Sequence, residues 1–139
     1  MRQADALLKA MPGSPSIITN QVEYHPYLDQ GPLLKNLRES GLALTAYSPL
    51  ASGAAIGDKT LERIGKAHGK SGPQVALRWL IQQPGVMALP RSSSERHCAS
   101  NFDIFDFKLS DGEMKEIFDL ARPDGRQIDP KSLAPEWDT

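Results

Sequence analysis

Val86-Met-Ala-Leu-Pro-Arg-Ser-Ser-Ser-Glu-Arg-His97 sets a basic, hydroxyl-rich segment directly behind a short apolar run. A short apolar run from Val86 to Leu89 meets Pro90, which ends it, and Arg91 and the hydroxyls of Ser92, Ser93 and Ser94 follow. Ser92 with Glu95 three residues on has the form of a capping box, which predicts a helix starting there. A strand that feeds hydroxyls at a helix start presents free backbone N–H groups and the positive end of a helix dipole. Arg91 adds a full charge, and Arg96 and His97 can add more. Such a combination can hold a phosphate. The same residues also suit a capped surface helix, and the stretch alone leaves both readings open.

The residues before Val86 read as a helix that leads into this strand. Ser71 and Gln74 form a capping box, Pro73 is tolerated in the first turn, and Val75, Ala76, Leu77, Trp79 and Leu80 are apolar up to Pro84-Gly85. Before it lies a helix capped by Thr60, with Leu61, Ile64 and Ala67 inward and Gly69 near its end. Leu42 to Tyr47 is nearly apolar throughout, as expected of a parallel strand covered on both faces, and the loop 48–53 follows it. Pro32 opens a helix with Leu33, Leu34 and Leu37 on one face, closed by Gly41. Ile17 to Tyr24 is rich in β-branched residues and reads as a strand ended by His25-Pro26. Met1 to about Met11 reads as an amphipathic helix. C-terminal to the opening stretch, a short helix runs towards Asn101. Ser110 and Glu113 then cap a last helix carrying Met114, Ile117, Phe118 and Leu120. From 123 to 139 the chain reads as an irregular loop and tail, with Trp137 its one large apolar residue.

Strands alternating with helices mean βα units around a parallel sheet. Three such strands are few for a sheet of this kind, and an opening in mid-helix leads us to expect that the chain is part of something larger. Its 139 residues suit one domain, and 40% apolar with 24% charged residues is ordinary globular composition. A formal net charge of −1 argues against nucleic-acid binding. No run reaches membrane-spanning length, and the single cysteine, Cys98, fits a reducing cytoplasm. Cys98 itself reads as a packing residue.

Ligands of α/β proteins bind at the C-terminal ends of parallel strands. Here those positions hold Asn20, Gln21, Glu23, Tyr24 and His25; then Tyr47, Ser48, Leu50 and Ser52; then Arg91 to His97. Asn20-Gln-Val-Glu-Tyr-His-Pro-Tyr27, Thr45-Ala-Tyr-Ser-Pro-Leu50, Gln74-Val-Ala-Leu-Arg-Trp79 and Pro90-Arg-Ser-Ser-Ser94 with Asn101-Phe102 stand in one order and near-regular spacing. Together they resemble the aldo-keto reductase family over essentially the whole chain. Leu133-Ala-Pro-Glu-Trp-Asp138 resembles its bacterial diketogluconate and methylglyoxal reductase branch.

The resemblance implies the C-terminal part of a (β/α)8 barrel, strands six to eight with their helices, spanning 1–139 as one partial domain. It implies hydride transfer between NADP(H), with NAD(H) as the alternative, and a small carbonyl substrate such as a sugar-derived diketone or a 2-oxoaldehyde. Tyr47 matches the residue stacked on the nicotinamide and Gln21 the one bonded to its carboxamide. Ser48, Leu50 and Ser52 match the pyrophosphate loop, Arg91, Ser92 and Ser93 the adenosine 2′-phosphate site, and Asn101 the adenine contact. Trp137 matches a tail that lines the substrate pocket, although packing alone would also explain it.

Two departures stand out. His97 falls where the family usually has an arginine on the 2′-phosphate, and Ser100 replaces a frequent glutamate. A one-residue shift would bring Arg96 to that place, but the ungapped reading is preferred. A histidine grips a dianionic phosphate less well than a bidentate guanidinium, so weakened NADP preference is expected. The family's catalytic aspartate, tyrosine, lysine and histidine match nothing here. Tyr24, Tyr27 and His25 are not substitutes, so no turnover is expected of the chain by itself. An inactive nucleotide- or phosphate-binding remnant and an assembly module remain alternatives. Open strand edges call for the missing part of the barrel or self-association.

Overall fold

Each of the three strand segments ends within one residue of where its sequence predicts, and the helices between them let the strands run in one direction. The computed structural model describes residues 18–129. Its elements are β1 (Thr19–Glu23), α1 (Gly31–Glu39), β2 (Ala43–Tyr47), α2 (Lys59–His68), α3 (Gly72–Gln82), β3 (Val86–Ala88), α4 (Glu95–Phe102) and α5 (Asp111–Phe118). The sheet order is β1-β2-β3, with parallel pairing throughout. The expected helix at the N-terminus and Trp137 lie outside the described residues.

Alternation along the strands gives the sheet two unlike faces. Val22 and Tyr24, Leu44 and Ala46, and Val86 and Ala88 pack against the helices. There they meet Leu34 and Leu37 of α1, Leu61 and Ile64 of α2, Val75, Ala76, Trp79 and Leu80 of α3, and Ile117 of α5. Trp79 is the centre of this layer, its ring 5.2 Å from that of Tyr24 and 5.0 Å from that of Phe118. The other face carries Gln21 and Glu23, Thr45 and Tyr47, and Met87. Thr19 and Thr45 hydroxyls share a 2.7 Å hydrogen bond across it. Met87 and Leu89 remain 46% and 51% exposed, so this face is only partly covered among the described residues.

Three expectations are corrected. Asp58, not Thr60, caps α2: its carboxylate accepts from both the Thr60 and Leu61 N–H groups, and a charged oxygen suits a helix N-terminus better than a hydroxyl. The Ser92–Glu95 box does not form, because the Ser92 hydroxyl accepts from the Ser94 N–H in a local turn and the helix starts after Ser94. Ala67 is exposed, since α2 buries only Leu61, Ile64 and Gly65. Phe118, at the end of α5, is 41% exposed and meets the Trp79 ring in a T-shaped contact. The boxes at Ser71 with Gln74 and at Ser110 with Glu113 form as read.

Candidate functional site

The strand order sets the three strand ends side by side. Gln21 pairs in register with Thr45, and Glu23 with Tyr47, so the Gln21 carboxamide and the Tyr47 ring share the face turned away from the helices. Gln21 is exposed and Tyr47 half-buried. Burial raises the Tyr47 phenol above its ordinary value, and the nearby Glu23 carboxylate raises it further, so the ring is uncharged.

The loop after β2 holds three non-glycine residues at positive φ: Ser48 at 49°, Ala51 at 49° and Ser52 at 51°. Left-handed backbone at such residues costs on the order of 1 kcal/mol each and collects at functional loops. The loop is tied down from inside. Leu50 packs against the core, and its carbonyl accepts from the Gly53 N–H at 3.0 Å. From the loop after β1, the Tyr27 hydroxyl reaches the Asp58 carboxylate at 3.0 Å. Beyond β3, Arg91 and Ser93 are exposed and Ser92 half-buried. The Ser94 hydroxyl accepts from the His97 N–H at the start of α4. Arg96 and His97 lie exposed together, 3.4 Å apart at their side-chain nitrogens, and Asn101 is half-buried near the helix end. The carboxylate of Glu95 in the first turn opposes an anion there. The structure thus brings Gln21 and Tyr47 together and puts the segment 91–101 beyond the neighbouring strand end.

In the sequence Glu23 is one of several strand-end residues. Its side chain is fully buried and accepts from His25 Nε2 at 3.1 Å and from the backbone N–H groups of Gln127 and Ile128 at 2.8 and 3.1 Å. Arg126 stands 3.8 Å away. The C-terminal segment is therefore laced across the end of β1, beside Tyr47. The only signal in sequence was a carboxylate among otherwise apolar or amide neighbours.

The remaining candidates for acid chemistry point the other way. A tyrosine acid needs a lowered pKa, yet burial pushes both Tyr24 and Tyr27 well above the ordinary phenol range. Tyr24 donates to Gln83 on the helix side of the sheet. His25 is buried, and burial lowers its pKa below the ordinary 6.5 despite the Glu23 hydrogen bond. The unfolded chain takes up that proton below 6.5 while the folded chain resists it, so stability falls as pH drops from 6.5 towards the lower folded value. Glu113, lowered from 4.5, contributes only in stronger acid. The thermal midpoint should fall between about pH 7.5 and about pH 5.5, and His25→Gln should flatten that slope. An equally steep slope in the variant would refute this assignment. Among the described residues no three His, Cys, Asp or Glu side chains converge as a metal site, and no helix is long and apolar enough to cross a membrane.

The sequence model of the Aldo/keto reductase family matches residues 2–122. Morphine 6-dehydrogenase of Pseudomonas putida is 37% identical over 150 residues, covering 95% of this chain and 50% of its own length. A crystal structure provisionally assigned as a 2,5-diketo-D-gluconic acid reductase B superposes with a TM-score of 0.95 at 46% identity, covering 99% of this chain and 48% of the other. A variant of Gox0644 crystallised with NADPH superposes at 0.86 with 27% identity, covering 96% and 48%. The chain spans about half the length of the relatives it matches.

Proposed function

Because the chain belongs to the aldo/keto reductase family, and its three βα units are part of a (β/α)8 barrel, we propose that it carries the cofactor-binding portion of an NADP(H)-dependent carbonyl reductase. The observation that carries this reading is the alignment of Gln21 and Tyr47 on one face, with the segment 91–101 at the next strand end. The relative crystallised with NADPH supports it.

The residues fit such a group. The exposed Gln21 carboxamide can donate to and accept from a nicotinamide carboxamide, and the uncharged Tyr47 ring offers a flat surface for the nicotinamide. Ser48, Leu50 and Ser52 would follow the pyrophosphate along the left-handed loop. Arg91 with Ser92 and Ser93 would hold the adenosine 2′-phosphate, helped by the Glu95 and Arg96 N–H groups, which lie ahead of the His97 N–H that Ser94 caps. His97 and Asn101 would flank the adenosine. Bound there, the nicotinamide supplies a hydride donor and acceptor; this chain's residues orient its ring and anchor its far end. The proton donor and the carbonyl pocket would come from strands beyond these three.

His97 favours some use of NAD(H) beside NADP(H). The proposed carbonyl class, a sugar-derived diketone or a 2-oxoaldehyde, rests on the resemblance to the diketogluconate and methylglyoxal reductase branch and, for the diketone, on the relative assigned as a diketogluconate reductase. The open face with Met87 and Leu89 would be covered by the rest of a barrel or by a second copy of the chain.

Dissociation constants for NADPH and NADH, measured by calorimetry on the chain and on Arg91→Ala, test the reading. Arg91→Ala should weaken NADPH by about tenfold and leave NADH within about twofold, because the guanidinium meets only the extra phosphate. Equal losses for both cofactors would remove Arg91 from the phosphate site. An NADPH preference of about 100-fold or more would overturn the tolerance for NAD.

A further inference from the structure

Helix α4 buries none of its side chains, yet it carries His97 and Asn101 of the proposed adenosine site. Something other than an apolar seam must hold its orientation. Gln74 of α3 does so through its amide nitrogen, while its amide oxygen serves the start of its own helix. Its Oε1 accepts from the Ser71 N–H at 3.0 Å, completing the capping box. Its Nε2 donates to the Ser100 carbonyl at 3.1 Å and to the Asp103 carbonyl at 2.9 Å, the two carbonyls at the C-terminal end of α4. Gln74 is buried while its partners at the end of α4 are partly exposed, so the bonds are shielded from water on the α3 side.

The chain beyond α4 is gripped in the same way. Arg78 donates to the Ile104 carbonyl at 3.3 Å. Gln82 donates to the Leu109 carbonyl at 2.7 Å and accepts from the Leu109 N–H at 2.9 Å. Gln74, Arg78 and Gln82 are four residues apart, hence on one face of α3. Lys70, in the turn before α3, extends the row with a 2.9 Å contact to the Asp103 carboxylate. A polar stripe on α3 thus binds the backbone of residues 100–109, and Gln74 is its contact nearest the ligand residues.

We propose that Gln74 is a positioning residue for the adenosine-phosphate end of the cofactor site, acting through the Ser100 and Asp103 carbonyls; this rests on the reading of residues 91–101 given above. Ser100 precedes Asn101 directly and lies one helical turn after His97, so the Gln74 amide sets the rotation of α4 and the direction of both side chains.

Gln74→Glu separates the two jobs of this residue. A glutamate keeps the oxygen that the capping box needs. It has no N–H to donate, and it sets a negative charge against two carbonyls and the Asp103 carboxylate, which Gln74 Nε2 now meets at 3.2 Å. With adenosine 2′,5′-bisphosphate as the probe, the affinity of Gln74→Glu should be about tenfold weaker than wild type. Amide exchange should quicken in α4 and stay unchanged in α2. Ser71→Ala, which loses the cap and keeps the Gln74 amide, should bind the probe as wild type does. If Gln74→Glu does not fold, Gln74→Met removes the same donors without adding a charge and should show the same loss. Undiminished affinity in whichever variant folds overturns the positioning role while leaving the nucleotide site standing. No binding by the wild-type chain overturns both.

Discussion

Glu23→Ala should lower the unfolding free energy by about 3 kcal/mol and release the backbone of residues 125–128. The carboxylate has no exposed surface and gathers His25 Nε2, two backbone N–H groups and the Arg126 guanidinium. Removing it leaves His25 buried beside a void and strands both N–H groups. A buried donor without a partner costs about 1–3 kcal/mol. The Gln127 and Ile128 donors can recover water if their segment lifts away, which caps the loss at the docking energy of that segment plus the His25 term. Glu23→Gln keeps the volume and an acceptor but loses the charge facing Arg126, so its loss should be smaller. Urea unfolding gives the energies, and amide exchange at Gln127 and Ile128 reports the release. A Glu23→Ala protein within about 0.5 kcal/mol of wild type would show that the segment is held by something else. Gly125 offers an independent handle on the same contact. A Cβ there would stand 1.7 Å from the Tyr27 carbonyl oxygen, so the segment can lie so close to the loop after β1 only with glycine at this point.

Gly65→Ala should destabilise the protein by about 2 kcal/mol, against the usual gain for replacing a helical glycine. In an exposed helix interior that exchange is worth about 1 kcal/mol in favour of alanine. At Gly65 the new Cβ would sit 2.4 Å from the Lys70 carbonyl oxygen and within 3.2 Å of the Ser71 backbone. The chain turns back there through left-handed Gly69, and the Lys70 N–H bonds to the Gly65 carbonyl at 2.8 Å. The obstacle is backbone, not a flexible side chain, so the α2–α3 turn must move and strain wins over propensity. Gly112 in α5 is the contrast. Its nearest neighbour would be the Ser110 hydroxyl at 4.0 Å, and Gly112→Ala should be neutral or stabilising by up to about 1 kcal/mol. Chemical denaturation of the two variants side by side checks the opposite signs. A stabilised Gly65→Ala would mean that the turn yields freely.

Local pattern carries far along this chain. The βαβ order, the two capping boxes, the apolar face of α3 and the strand ends are all visible in sequence, because they follow from spacing and from residues that punctuate the backbone. The caps of α2 and α4 lie two residues from those the sequence predicts, for an equally local reason. Where several hydroxyls or carboxylates lie close together, more than one can cap a helix, and only the backbone angles at Asp58 and Ser94 select between them.

By itself, then, the sequence determined the parallel α/β architecture, the family, and which strand ends bear Gln21, Tyr47 and Arg91. The tertiary structure alone decided that Glu23 secures the C-terminal segment, 104 residues away at Gln127, and that Gln74 holds α4 across 26 residues at Ser100. A side chain's partners at such separations leave no period or spacing in the sequence. They exist only once folding has brought a buried acceptor or amide within hydrogen-bonding distance of a backbone group from elsewhere in the chain.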